Sequence, residues 1–96
     1  MKLLLIMAPT ECLEDIQTIV RGHDVHAYTE FPNLLGEGES GGRLGTRAFP
    51  GTSSLLMTVL DIAQAQALSD ALADFAAQPQ NCSRIRVFAL PAERLL

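Results

Sequence analysis

An α+β sandwich in the order βαββαβ is the architecture that this 96-residue sequence predicts. Three observations predict it. Residues 3–8 and 54–60 are short runs that are apolar on both faces, the pattern of strands covered from two sides. Each run is followed by a segment with helical spacing of apolar residues. A stretch from Tyr28 to Ser54 holds six of the seven glycines and separates the second strand from the third.

The first strand is expected over 3–8. Pro9 stops it, and Thr10 is placed to cap a helix whose first turn carries Glu11 and Glu14. Leu13, Ile16, Ile19 and Val20 recur at helical spacing, so the helix is expected over about 11–21, with Gly22 as its stop. Residues 23–30 read as a second strand, with Val25 and Ala27 on one face and His26 and Tyr28 on the other. The third strand runs over 54–60. Asp61 is an N-cap for a second helix through about Ala77, whose stripe is Ala65, Leu68, Leu72, Phe75 and Ala76. Residues 79–83 make a turn, 84–90 a fourth strand and 91–96 a tail.

This order is a split βαβ duplication in outline and gives a ferredoxin-like fold: a four-stranded antiparallel sheet with both helices on one face. The other face would be apolar, with Leu4, Ile6, Tyr28, Phe88 and Leu90 assigned to it, and so would be an interface packed sheet to sheet between copies. So short a chain is one domain, 1–96, and gains from such a supplement.

Composition narrows the function. A net charge of −4 opposes general nucleic-acid binding, which favours a basic stripe. The apolar run at the N-terminus is too short to span a bilayer and lacks a small-x-small cleavage pattern, so a cytoplasmic protein without membrane insertion is expected. Cys12 and Cys82 are too few for a disulfide framework and read as two ordinary thiols in a reducing compartment. Cys12, at a helix N-terminus, is also a candidate redox thiol, set against a half-buried structural cysteine.

Within the long stretch, Gly36, Gly38 and Gly41 satisfy G-x-G-x-x-G. A dinucleotide fingerprint opens a helix, whereas a strand follows here, and Glu37 and Glu39 would repel a phosphate. A loop that contacts a ligand or a partner is the better reading of a connection this long.

Several strings resemble the PII-like signalling proteins: His26-Ala27-Tyr28-Thr29, Gly36-Glu37-Gly38-Glu39-Ser40-Gly41-Gly42, the return Gly45-Thr46-Arg47-Ala48-Phe49-Pro50-Gly51, and Pro91-Ala92-Glu93. The resemblance implies a trimer whose 32–50 loop corresponds to the T-loop, with ligands bound between subunits. It implies a regulatory protein of nitrogen-regulatory (P-II) type rather than an enzyme. The ligand would be an adenine nucleotide or small anion, relayed through the loop to a regulated transporter or enzyme. The sequence departs from the nucleotide-binding members before the last strand. Residues 80–86 contain no glycine-rich B-loop, and alignment on Pro91-Ala92-Glu93 puts Arg86 where a phosphate-binding lysine would stand.

The ligand-binding set expected on that basis is Arg43, Gly45, Thr46, Arg47, Arg84 and Arg86, since arginine forks suit phosphate and carboxylate. The residues expected to touch a partner are Gly36, Glu37, Gly38, Glu39, Ser40, Gly41 and Gly42. The alternative is a metal-binding trimer resembling CutA-like proteins, with His26 gathered at a threefold axis. His23 and His26 on a strand would point to opposite faces, which suits one ion poorly. Enzymatic readings are weaker still. Thr52, Ser53 and Ser54 lack a nucleophile elbow, and an acylphosphatase-type enzyme needs an anion-cradling loop that residues 8–11 do not provide.

Overall fold

A computed structural model describes residues 1–38, 41–43 and 51–96, the side chains at 37, 38 and 41–43 excepted. The elements in order are β1 (Lys2–Pro9), a 3₁₀ turn (Thr10–Cys12), α1 (Leu13–Gly22), β2 (Thr29–Leu34), β3 (Gly36–Gly38), β4 (Gly41–Arg43), β5 (Ser53–Leu60), α2 (Ile62–Ala76) and β6 (Arg86–Pro91). Four strands form one sheet in the order β2-β5-β1-β6. All three pairings are antiparallel. This is the expected ferredoxin-like sheet. Strands β3 and β4 pair into a small separate ribbon.

The core lies between one sheet face and both helices. Leu4, Ile6 and Ala8 of β1 and Leu56 and Leu60 of β5 bury against Ile16 and Val20 of α1 and Ala65, Leu68 and Leu72 of α2. The strand phase corrects the expected open face. Leu4 and Ile6 are buried in the core, at 0% and 1% exposure, and Tyr28 is half-buried against it. Directly opposed residues share a face. The register Leu3↔Val59, Leu5↔Met57 and Met7↔Leu55, with Leu3↔Leu90 and Leu5↔Phe88, therefore places that set on the uncovered side. Phe88 and Leu90 lie there as expected, and Met7, Phe31 and Val59 are also exposed. A run that is apolar at every position gives no alternation from which to read its phase.

Three boundaries moved for local reasons. Thr10 does not cap α1: its hydroxyl is hydrogen-bonded to Thr52 Oγ1 at 2.6 Å and to Ser54 Oγ at 3.0 Å. A tight turn therefore precedes the helix, and Pro9 offers no side-chain cap. At the other end Gly22 is the last helical residue, and the left-handed residue is Asp24, with φ of 60°. Val25 N–H donates to Val20 C=O and Asp24 N–H to Arg21 C=O, a Schellman closure sealed by buried Val20 and Val25. That closure occupies the residues read as the start of the second strand, so β2 begins only at Thr29.

Asp61 caps α2 as expected, its Oδ1 accepting from Gln64 N–H at 2.7 Å. Asp61→Ala should cost about 1 kcal/mol of unfolding free energy in urea denaturation, and Asp61→Asn much less. Equal loss in both variants would deny the side chain its capping role.

Candidate functional site

The antiparallel topology gathers four chain ends at one end of the sheet. Pro9 of β1 opposes Ser53 of β5, and Leu34 of β2 opposes the same Ser53. Arg86, the first residue of β6, opposes Met7. The exit of β1, both feet of the long loop and the approach to β6 thus project from one end, and these are the segments that the sequence singled out.

The feet of the loop are fixed by hydroxyl and amide groups. The β2–β5 register slips between Phe31 and Leu34, leaving one extra residue on the β2 side. Pro32 is tolerated there because β2 is an edge strand. Asn33 takes a left-handed conformation with φ of 58°, and Gly51, on the returning chain before β5, has φ of 94°. Asn33 N–H donates to Ser54 Oγ at 3.4 Å, and Thr52 Oγ1–H donates to Asn33 Oδ1 at 3.2 Å. With Thr10 these groups form one network tying β1, β2 and β5 together. Among the described residues no buried side-chain polar atom lacks a partner. Thr52 and Ser54 of the return turn thus act as struts. Their signal in the sequence was the cluster Thr52-Ser53-Ser54 opposite a Pro-Asn pair, and it could not be read without the register.

On the helix side of the same end, an open cleft of about 420 Å³ separates the 3₁₀ turn and α1 from the segment before β6. Pro9, Glu11, Cys12 and Asp15 form one wall, and Gln80, Asn81, Ser83 and Arg84 face them. Cys12 and Cys82, both in its lining, are joined as a disulfide with Cα atoms 6.0 Å apart. This corrects the reading of two ordinary thiols. With a sequence separation of 70, no local spacing marked the pair.

Of the expected ligand set, Arg84 lines this cleft and is exposed. Arg86 is exposed beside Met7 on the uncovered sheet face, its Nη1 donating to Ile85 C=O at 3.2 Å. The two arginines therefore stand at the same end but on different sides of the sheet. Arg43 ends β4, and Gly45, Thr46 and Arg47 lie outside the described residues. Of the expected partner loop, Gly36-Glu37-Gly38 pairs with Gly41-Gly42-Arg43, while Glu39 and Ser40 lie outside the described residues. The described residues of the stretch form the separate β3–β4 ribbon.

His26 is exposed in the connection before β2 rather than on a strand. Among the described residues no three His, Cys, Asp or Glu side chains come together to hold an ion. Glu30, in β2, accepts from Gln17 Nε2 of α1. Among the described residues no helix is long and apolar enough to cross a membrane.

The sequence matches no protein-family model and no curated protein. Solved structures do match. The chain is similar to CPII, a nitrogen regulatory PII-like protein from Thiomonas intermedia K12, bound to ADP, AMP and bicarbonate: TM-score 0.74 and 18% identity, covering 93% of this chain and 82% of that one. A 2.3 Å structure of the same complex gives a TM-score of 0.71 at 19% identity, covering 92% and 86% of the two chains. CPII bound to ADP and bicarbonate gives 0.71 at 20%, covering 93% and 82%. Across nearly its whole length, this chain has the fold of the PII-like proteins.

Proposed function

We propose that this chain is a cytoplasmic PII-like regulatory protein, a binder rather than an enzyme. Its ligand is an adenine nucleotide or a small anion such as bicarbonate, held between subunits of a homotrimer. The observation that carries the reading is the coincidence of fold and placement. The solved structures of similar fold hold ADP, AMP and bicarbonate. In this chain the long loop, Arg84 and Arg86 emerge from one end of the sheet.

The trimer is supported by the uncovered face. Met7, Val59, Phe88 and Leu90 are each more than two-fifths exposed, and Leu3, Leu5, Leu55 and Met57 lie between them. A contiguous apolar face of this kind marks an interface. Arg86 borders that face, so a neighbouring subunit would bring a second surface against it. The ligand set is Arg43, Gly45, Thr46, Arg47, Arg84 and Arg86. Binding orders the 32–50 loop and shifts its population towards the form that a regulated transporter or enzyme recognises, with residues 36–42 making the contact.

The test is thermal stabilisation by ADP, AMP and bicarbonate, alongside light scattering. A ligand at one hundred times its Kd should stabilise the fold by about 2.7 kcal/mol. Arg47→Ala and Arg86→Ala should abolish the shift while leaving the unliganded midpoint in place. No shift with any of the three ligands, or a mass of one chain, would count against the reading.

A further inference from the structure

We propose that the Cys12–Cys82 disulfide is a reversible redox site, and that its dithiol form releases the segment 77–85, with Arg84, from the end of β1. A disulfide in a cytoplasmic protein is usually a redox-sensing one, and to that extent the inference rests on the reading above. The geometry carries the rest.

The two sulfurs differ in access. Both cysteines line the open cleft, but Cys12 is 7% exposed and belongs to the core cluster, whereas Cys82 is half-buried. A reductant therefore reaches the Cys82 sulfur first. A thiolate of an external dithiol attacks Cys82 Sγ, the Cys12–Cys82 bond breaks, and Cys12 leaves as a thiolate. The second thiol of the reductant then attacks its own sulfur in the mixed disulfide and displaces Cys82. Two electrons pass to the protein, the reductant departs as a disulfide, and its two protons are taken up by the Cys12 and Cys82 thiolates.

The disulfide is also the fastening that reduction would remove. Between α2 and β6 the chain has no helix or strand. Gln78 N–H and Asn81 Nδ2 donate to Phe75 C=O, and Asn81 N–H donates to Gln78 C=O. All three bonds lie upstream of Cys82 and tie the segment back to α2. β6 pairing begins at Arg86. Between those anchors the disulfide joins the chain to the 3₁₀ turn, and half-buried Ile85 adds packing. Ser83 and Arg84, both exposed, follow Cys82 directly. Opening the bond frees them from the wall carrying Glu11 and Asp15.

The test uses the full chain without ligand, so its outcome is independent of whether ADP binds. The oxidised protein is treated with dithiothreitol under native conditions, thiols are counted by maleimide labelling, and amide exchange is followed by mass spectrometry. Two thiols per chain should appear with the far-UV circular dichroism retained, and exchange at 82–85 should accelerate roughly tenfold or more at labelling times short enough that the β1 amides of 2–9, which open only with the whole fold, stay protected in both forms. Cys82→Ser should show the same local acceleration without reductant. Resistance to reduction until the fold is lost, unfolding on reduction, or unchanged exchange at 82–85 would each overturn the proposal and leave a structural staple.

Discussion

Leu68→Ala is expected to lower the unfolding free energy by about 3–4 kcal/mol, in the range measured for leucine truncation in packed cores. Leu68 is 0% exposed, central in α2 between Ala65 and Leu72, and sits over the sheet face carrying Leu4, Ile6 and Leu56. Three carbons are lost from a site whose neighbours belong to a sheet and two helices, which cannot all move inward to refill it. The transfer loss and the cavity term therefore add. Total stability for a domain of this size is about 5–15 kcal/mol, so the loss is a large part of it. Ile62, at the start of the same helix but 65% exposed, is the control. Ile62→Ala should cost less than about 0.5 kcal/mol. Urea denaturation of both variants checks the pair, and similar losses would mean that the core is not where the packing places it.

Removing the disulfide is expected to cost about 3 kcal/mol, by Cys12→Ser or by reduction. The cross-link joins residues separated by 70 positions in the sequence. In the chain-entropy account, closures of about 15 and about 100 residues confer roughly 3 and 4.7 kcal/mol, and measured effects typically fall at 2–4 kcal/mol. For a domain of this length, 3 kcal/mol corresponds to a fall in the thermal midpoint of roughly 12–24 °C. Thermal scans followed by circular dichroism, with and without reductant, read the effect. Coincident midpoints in the oxidised and reduced protein would show that the bond contributes nothing to global stability.

Element order was legible because it depends on local patterning. The doubly apolar runs at 3–8 and 54–60, the helical spacing of Leu13, Ile16 and Val20, and the Asp61 cap each declare themselves within a few residues. Features that depend on pairing between distant segments were illegible. The phase of β1 is set by which side the helices cover, and Leu3 and Leu4 are chemically the same residue. The late start of β2 follows from the closure at Asp24, where an aspartate takes the left-handed place expected of Gly22. Thr10 looked like a cap and became a strut because Thr52 and Ser54 are brought to it from the far side of the loop. The disulfide is the extreme case, since nothing between positions 12 and 82 announces it. At the site, Arg84 and Arg86 were nameable as cations near the start of the last strand, and their separation onto different sides of the sheet required the β1–β6 register.

The central place of β1 has a consequence for biosynthesis. Lys2 pairs with Leu60 on one side and with Pro91 on the other, so both neighbours of the first strand are encoded in the second half of the chain. At roughly 5–20 residues per second, β1 spends several seconds as an unpaired, almost wholly apolar strand before β5, the earlier of its two partners, exists. The nascent chain is therefore most open to misassociation early in translation. Slow codons placed before β5 would lengthen that exposure, whereas the same codons after β6 would leave it unchanged.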